Sequence, residues 1–307
     1  MTDETEFIKD ELRRKGFPLE SYVEALLTDS GWHVNSNVYF VDKESNKARE
    51  LDIDASFTHG KGAYGTWTMF DVNLLIQCKR LPGHAWVFFS SASKSASFEE
   101  FHKCDFTDFL RKEDHWGPLR FALFDMKIFG CKGTHAEKRD AVATNYSEII
   151  VDKKKSNNRD DNIWESAVTL VKAVSQKLDK SLSGEGQYLD EDLEFGQFLK
   201  EPFEVAQVFL PIIVFEGKMY AATLLNDDVE LQKVDYVRLH VDYESGHYKR
   251  DCIVDVITRD RFSSFINDVV NDLFIFGKRR VKVAKKYESE VLKAVARHYQ
   301  RVRNESS

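Results

Sequence analysis

The sequence has few cysteines and no long apolar run, and both absences narrow the class of protein. Only four cysteines occur among 307 residues and none forms a CxxC pair, which argues against a zinc ribbon and a secreted disulfide framework. No apolar stretch approaches the length of a membrane span. The charged start, MTDETEFIKDELRRKG, has no apolar core of the secretory kind. We therefore expect a reduced, cytoplasmic protein with no membrane partner.

A broad excess of positive charge is also missing. The net charge of −7 does not suggest a general nucleic-acid binder. Residues 277–307 nevertheless hold ten Lys or Arg and three Glu, a net charge of +7, so the other 276 residues carry −14. The pattern over 282–303 predicts a C-terminal helix that docks through a partial apolar stripe and contacts phosphates through its basic side chains. The candidate contacts are Arg279, Arg280, Arg297 and Arg301; the alternative is a solvated basic helix.

An acidic pattern occupies residues 50–57, ELDIDASF. Glu50, Asp52 and Asp54 alternate with apolar residues, so a strand would present all three carboxylates on one face. Like charges so close together repel each other. This face therefore either looks at water or holds something cationic.

The neighbouring elements can be predicted from periodicity and turn residues. Pro18 and an apolar face at helical spacing predict a helix that Gly31 ends. Residues 32–42 and 50–57 alternate as a hairpin of two strands. Residues 70–81, FDVNLLIQCKRL, are apolar enough for a central strand. The predicted order is helix, strand, strand, strand.

The stretch LLIQCKR within the central strand carries the second group of polar residues. Gln77 and Lys79 are two apart and share one face, whereas Cys78 points to the other. A lysine at the end of an apolar strand is costly to bury alone, so we expect Asp52 beside Lys79. Oxygen ligands from two strands with an ammonium alongside predict a site for a hard cation. The alternative is a structural ion pair between Asp52 and Lys79.

These residues, in this order, resemble the PD-(D/E)xK nucleases with the restriction-endonuclease-like fold, and most closely the Mrr-like branch. The helix acid of that pattern matches Glu20, the acid on the second strand matches Asp52, and the (E/Q)xK signature matches Gln77 and Lys79 within IQCKR. The resemblance covers roughly residues 17 to 90. Gln77 replaces the commoner Glu, as it does in the Mrr-like branch. The long insert between Asp52 and Gln77 leaves Glu50 and Asp54 as alternatives to Asp52.

The resemblance implies a Mg²⁺-dependent endonuclease, with Mn²⁺ as a substitute metal, that acts on DNA in a prokaryotic defence or restriction setting. Asp52, the Gln77 side-chain carbonyl and the Cys78 backbone carbonyl would hold the metal. Lys79 would orient the attacking water and offset the developing charge. Glu20 would act in the outer shell or hold a second metal.

The composition along the chain predicts an α/β protein in two parts. Residues 1–180 would form the nuclease-like domain, a mixed sheet flanked by helices. Residues 188–307 would form an α+β section, with two strands around a tight EGK turn at 216–218. No Walker loop, GxGxxG or GxSxG motif occurs in this second section, which we interpret as an extension of the sheet or support for a homo-oligomer or a defence-system partner. Two other functions remain open: a non-catalytic nucleic-acid-binding or accessory protein, and a protein-interaction scaffold.

Overall fold

The computed structural model describes most of the chain outside five longer gaps and several short ones. The described residues are 2–14, 16–59, 68–96, 104–106, 140–151, 155–156, 161–183, 204–225 and 228–268. The helices are α1 (Thr2–Arg14), α2 (Phe17–Asp29), α3 (Asp161–Ser183) and α4 (259–268). The strands are β1 (His33–Asp42), β2 (Lys47–His59), β3 (Thr68–Ala96), β4 (Cys104–Phe106), β5 (Asp140–Ile150), β6 (Lys155–Ser156), β7 (Glu204–Leu225), β8 (Asp228–Lys233), β9 (Tyr236–Glu244) and β10 (Lys249–Thr258). The protein is therefore α/β with a mixed sheet, as predicted.

The predicted front of the domain is confirmed. Helix α2 has a proline at its first turn, and Leu19, Val23 and Leu27 form its fully buried face. Gly31 follows the helix with φ +84°, a left-handed conformation that glycine adopts without steric cost. Strands β1 and β2 form the antiparallel hairpin, and β2 pairs antiparallel with β3. Helix, hairpin and central strand thus follow in the order that the sequence predicts.

The strands of the second predicted section join the same sheet. β7 runs parallel to β3 over most of its length, and β10 continues the sheet beyond β7. β9 pairs with both β10 and β5, and β5 pairs with β3. These pairings close a ring of five strands, β3–β5–β9–β10–β7. The second section therefore enlarges the sheet, which was one of the two predicted roles for it.

The prediction of a tight turn at residues 216–218 is wrong. β7 continues as one strand through Gly217, and only the register of its pairing with β3 shifts, between Arg80 and Ala85. A Cβ atom at Gly217 would lie 2.3 Å from the ring of Phe215, which stacks on Trp86 with 3.9 Å between ring centroids. Glycine is thus required here for close packing of an aromatic pair rather than for a reversal of the chain.

Gly217→Ala should therefore destabilise the fold by about 2 kcal/mol, because the new methyl group displaces the Phe215 ring from its stack. Urea unfolding followed by circular dichroism would measure the change. Gly246→Ala is the matched control, since no atom lies within 4 Å of its added Cβ. Equal stability of the two variants would contradict the packing role of Gly217.

Among the described residues, two large hydrophobic cores lie against the sheet. One contains the buried face of α2 and residues of α4, with Ile53, Ile76 and Cys78 among the strand residues. The other contains the buried residues of α3 with Leu51 and Leu75. The two cores distinguish an α2 side and an α3 side of the sheet. In the described part of the chain, no helix is long and apolar enough to cross a membrane.

Candidate functional site

The site predicted from the sequence lies where β2 separates from β3. The backbone pairing of the two strands ends at Ile53 and Ile76. Beyond that pair, the Cys78 amide donates a hydrogen bond to the Asp52 carboxylate at 2.6 Å. A carboxylate thus replaces the backbone acceptor that a continued ladder would have supplied. The split places the Asp52 carboxylate against the Cys78 amide, at the end of the apolar part of β3.

Gln77 bridges the same split. Its Nε2 atom donates to the backbone carbonyl of Glu50 at 3.1 Å, and its side-chain amide is near enough to Asp52 to lower the pKa of that carboxyl. Gln77 is only 5% exposed. Its position next to Asp52 agrees with the prediction that the two residues meet. Its amide hydrogens hold the split strands together, and no described residue donates a hydrogen bond to its side-chain oxygen.

The prediction that Glu50, Asp52 and Asp54 share one face is wrong. Leu51 packs into the core on the α3 side, whereas Ile53, two residues later, packs into the core on the α2 side. Regular alternation would have placed both leucine and isoleucine on one side. Asp54 consequently pairs with Lys177 of α3.

The cause of this change of face lies in the hairpin. The ladder between β1 and β2 skips one pair, Asn37 and Asp52, while the register is the same on both sides of the gap. Asn37 has φ +54°, a left-handed conformation that asparagine tolerates better than most residues. This interruption of the ladder accompanies the change of side-chain faces, so that Asp52 and Asp54 no longer point to the same side of the sheet. Sequence alternation alone could not predict it.

Glu20 brings a second carboxylate to Asp52 from α2. It lies in the first turn of the helix and is half-buried, whereas Glu24 one turn later is exposed. Gly16 makes room for it, since a Cβ at that position would lie 3.3 Å from Glu20 Oε1. The positive end of the helix dipole favours a carboxylate at this place. Glu20 therefore lies near enough to Asp52 for the two charges to interact.

The charges at this site do not balance. Burial raises the pKa of Asp52 above its ordinary value; the Cys78 amide and Lys79 lower it only in part, and Glu50 raises it further. Burial also raises the pKa of Glu20, and the nearby charges of Asp52 and Glu50 add to this effect against Lys79. Three described carboxylates, those of Glu20, Glu50 and Asp52, thus act on one another, and Lys79 offsets the effect on the pKa values only in part. A bound cation would remove this excess of negative charge.

The donor set fits a hard cation, with Asp52 as its charged member. Because the N–H and C=O groups of one strand residue point toward the same neighbour, the carbonyl of Cys78 faces the split together with its amide. Burial raises the pKa of the Cys78 thiol well above its ordinary range, and the side chain lies in the α2-side core. Only its backbone can serve as a ligand. Asp52, Gln77 and Cys78 thus offer carboxylate, amide and main-chain oxygens of the kind that Mg²⁺ binds.

Side-chain ligands alone do not complete a metal site. In the residues that the structure describes, no three His, Cys, Asp or Glu side chains are grouped so that they could hold a metal ion. Mg²⁺ commonly keeps several waters and takes one or two carboxylates plus substrate phosphate oxygens. The observed set matches that pattern, and it does not match a site built wholly from protein side chains.

The sequence analysis missed a cationic group beside Lys79. Glu216 of β7 accepts a hydrogen bond from Arg80 at 2.9 Å and lies 3.7 Å from Arg259 at the start of α4. The Arg259 guanidinium also lies over the ring of Tyr22 on α2, 4.6 Å from its centroid. Arg80 directly follows Lys79, the last residue of the QxK signature, and this was the only available signal. Glu216 and Arg259 are distant in sequence, and only the parallel pairing of β3 with β7 brings them here.

The predicted basic helix over 282–303, with Arg279, Arg280, Arg297 and Arg301, lies outside the described residues. Comparisons with known proteins show no matching family, no similar curated protein and no similar solved structure. The geometry of the split between β2 and β3 is therefore the basis of the functional argument.

Proposed function

We propose that this protein is a Mg²⁺-dependent endonuclease of the PD-(D/E)xK type that hydrolyses phosphodiester bonds in DNA. The observation that carries the proposal is the position of Asp52 at the split between β2 and β3, beside Gln77 and the Cys78 amide, with the charges of Glu20 and Lys79 acting on its carboxylate. The order of these residues in the sequence matches the nuclease pattern. Their electrostatic coupling in space supports a common site rather than separate surface roles. A prokaryotic defence or restriction role is part of the same proposal.

Each residue has a role in this chemistry. Asp52, the Gln77 side-chain oxygen and the Cys78 carbonyl would hold Mg²⁺, which supplies neutralisation of charge on the phosphate and activation of water. Lys79 orients the attacking water and stabilises the additional negative charge on the phosphoryl oxygens. Glu20 orients the water shell around the site or contributes to a second metal position.

The substrate backbone would be positioned by cations outside this centre. Arg80 and Arg259 are held in place by Glu216 and are only partly buried, with side-chain exposures of 21% and 44%. Guanidinium groups bind phosphate oxygens in a fixed geometry. These arginines would contact the phosphates next to the scissile bond without reading the sequence. The basic C-terminal residues would extend the contact along the duplex.

A second candidate function is a non-catalytic nucleic-acid-binding or accessory protein that retains the fold. The observation in its favour is the structural use of Gln77, whose amide ties β3 to Glu50 of β2. A group with such a bridging role is needed for the fold even where no metal binds. This candidate predicts DNA binding without turnover.

A plasmid-cleavage assay separates the two candidates. Supercoiled DNA incubated with the full chain should be nicked or linearised with Mg²⁺ or Mn²⁺, and EDTA should stop the reaction. Binding of the same DNA in EDTA, measured by gel shift, should persist because the arginines act without metal. Binding without cleavage under every metal condition would favour the accessory protein, and the absence of both would contradict a nucleic-acid function.

A further inference from the structure

The strand β8 leaves one edge of the sheet open. It pairs antiparallel with the end of β7, and all six of its side chains are exposed. Among the residues that the structure describes, no strand pairs with the other edge of β8. An unpaired edge offers a row of backbone donors and acceptors to a further strand. β8 is therefore a candidate for pairing with another chain.

The backbone groups that face outward from β8 follow from its pairing with β7. The Val234 amide, which continues the same register, donates to the Met219 carbonyl at 3.0 Å. The direction of the N–H and C=O groups alternates from one residue to the next along an antiparallel strand. Three residues of β8 consequently direct their backbone groups away from β7: Val229, Leu231 and Lys233.

One of these outward groups has a partner within the hairpin. The Val229 amide donates to the Asp228 carboxylate at 2.8 Å, which agrees with its direction away from β7. This leaves the Val229 carbonyl and both backbone groups of Leu231 and Lys233 for a second strand.

An exposed apolar patch lies beside this edge. Leu224 of β7 is directly opposite Val229, and Leu231 is two residues further along β8, so the three side chains share one face. Their exposed fractions are 65%, 47% and 58% in the order named. Exposed apolar side chains grouped at one place favour contact with another protein surface. A strand added beside β8 would extend this patch and shield part of it.

The strand β1, at the other end of the sheet, is less suited to such pairing. Asn37 has φ +54° in the middle of β1, and the ladder with β2 is interrupted there. Irregularities of this kind protect an edge strand from pairing with other chains. The register of β8 with β7 is continuous from Asp228 to Lys233.

We propose that β8 pairs antiparallel with β8 of a second copy of this chain, about a two-fold axis at Leu231. Such an axis is perpendicular to the sheet, so each residue opposes the one at equal distance on the other side of Leu231 in the second copy. Leu231 then opposes Leu231 of the second copy, and Lys233 opposes Val229. All outward-facing residues meet in this register, and the two apolar patches become one band.

The charges of β8 select this register. With the axis at Glu230, two carboxylates would oppose each other, and with the axis at Val229, Asp228 would oppose Glu230. Like charges directly opposite each other are destabilising. With the axis at Leu231, Glu230 opposes Gln232, whose amide can donate to it. An axis at Gln232 also avoids repulsion, but it leaves Val229 beyond the end of the paired strands. The edge is thus complementary to itself, which favours a second copy over an unrelated peptide.

The proposed interface is small. Pairing over residues 229–233 with the apolar patch is less extensive than a standard interface of roughly 1,600 Å². We therefore expect a weak dimer with a dissociation constant of about 10–100 µM. Sedimentation velocity of the full chain, over a concentration series that spans this range and without DNA or metal, would measure it.

Two substitutions of Gln232 test the register. Gln232→Lys should tighten the dimer by about threefold or more, because an ammonium then opposes Glu230 on both sides of the axis. Gln232→Glu should weaken it by about threefold or more, because two carboxylates then oppose each other. The outward backbone amide is tested by Leu231→Pro, which should weaken the dimer by about tenfold or more. Proline is tolerated in an edge strand where the amide points away from the sheet, so circular dichroism should show a folded chain.

Phe7→Asp is the matched control, since Phe7 is an apolar residue of α1 that is 65% exposed. This variant should dimerise like the wild type. A chain that stays monomeric over the whole series would overturn the proposal and leave the edge to a strand of another protein. A dimer that responds alike to the two Gln232 variants would also overturn it, because its interface would lie elsewhere. These two variants decide the matter if Leu231→Pro unfolds. Because the measurement contains neither DNA nor metal, its result is distinct from that of the cleavage assay.

Discussion

Lys79→Met should lower the rate of DNA cleavage by about a thousandfold, the range found when a group that stabilises transition-state charge is removed. Lys79 is the cation whose charge lowers the pKa of both Glu20 and Asp52. It cannot be a metal ligand, because an ammonium has no free electron pair. Calorimetric titration should therefore show that the variant still binds Mg²⁺ while the cleavage assay shows almost no product.

Asp52→Asn should differ from Lys79→Met in that it weakens metal binding and cleavage together. It removes the charged member of the donor set and leaves the shape of the side chain nearly unchanged. Asp54→Asn and Lys177→Met are the matched controls, since this carboxylate and ammonium pair with each other on the α3 side. Both controls should cleave DNA like the wild type. If Asp54→Asn were inactive while Asp52→Asn cleaved normally, the assignment of the strand acid would be wrong.

Lys172→Met should destabilise the fold by about 3 kcal/mol, because it leaves the buried Asp42 carboxylate without its buried ammonium and with only the half-exposed Arg49 as a cationic partner. Lys172 of α3 is 5% exposed and lies 3.0 Å from Asp42, which is fully buried at the end of β1. It also pairs with Glu44 in the turn of the hairpin. Urea unfolding at neutral pH would measure the loss. Lys249→Met, which removes an exposed ion pair with Glu244, is the control and should leave stability unchanged.

The same cluster makes stability depend on acid. Burial raises the pKa of Asp42. Hydrogen bonds from the Lys172 ammonium, the Glu44 backbone amide and the Ser45 hydroxyl outweigh this effect and lower the pKa from 3.8 to about 2. Hydrogen bonds from Lys172, Ser245 and Tyr243 lower the pKa of Glu44 from 4.5 to about 2.

A carboxyl with a lowered pKa in the folded state stabilises the fold above its ordinary pKa, and this contribution is lost as the pH falls through the folded value. We therefore expect wild-type stability to fall between about pH 4.5 and pH 2. In Lys172→Met, this fall should be smaller, because the carboxyl groups titrate closer to their unfolded values. An equally steep fall in the variant would show that other carboxyls control acid unfolding.

The sequence by itself determined the local elements at the front of the protein. Proline at the start of α2, Gly31 after it, the alternation of β1 and the apolar run of β3 are each set by residues a few positions apart. The position of Asp52 next to the β3 residues Gln77 and Cys78 also followed from the sequence, because a hairpin followed directly by a third strand has few ways to pair. Whether these residues bind a metal and cleave DNA stays a prediction.

The tertiary structure decided which face each acid occupies and how the two parts of the chain combine. Asp54 faces α3 because the ladder opens at Asn37 and Asp52, and β7 passes straight through Gly217 because the parallel pairing with β3 holds both of its halves. The contact of Arg259 with Glu216 depends on residues far apart along the chain. Periodicity reports only on neighbours within a turn or a strand. Which distant strands pair is decided by the free energy of burying their apolar side chains in one common core. A local sequence pattern carries no information about that free energy.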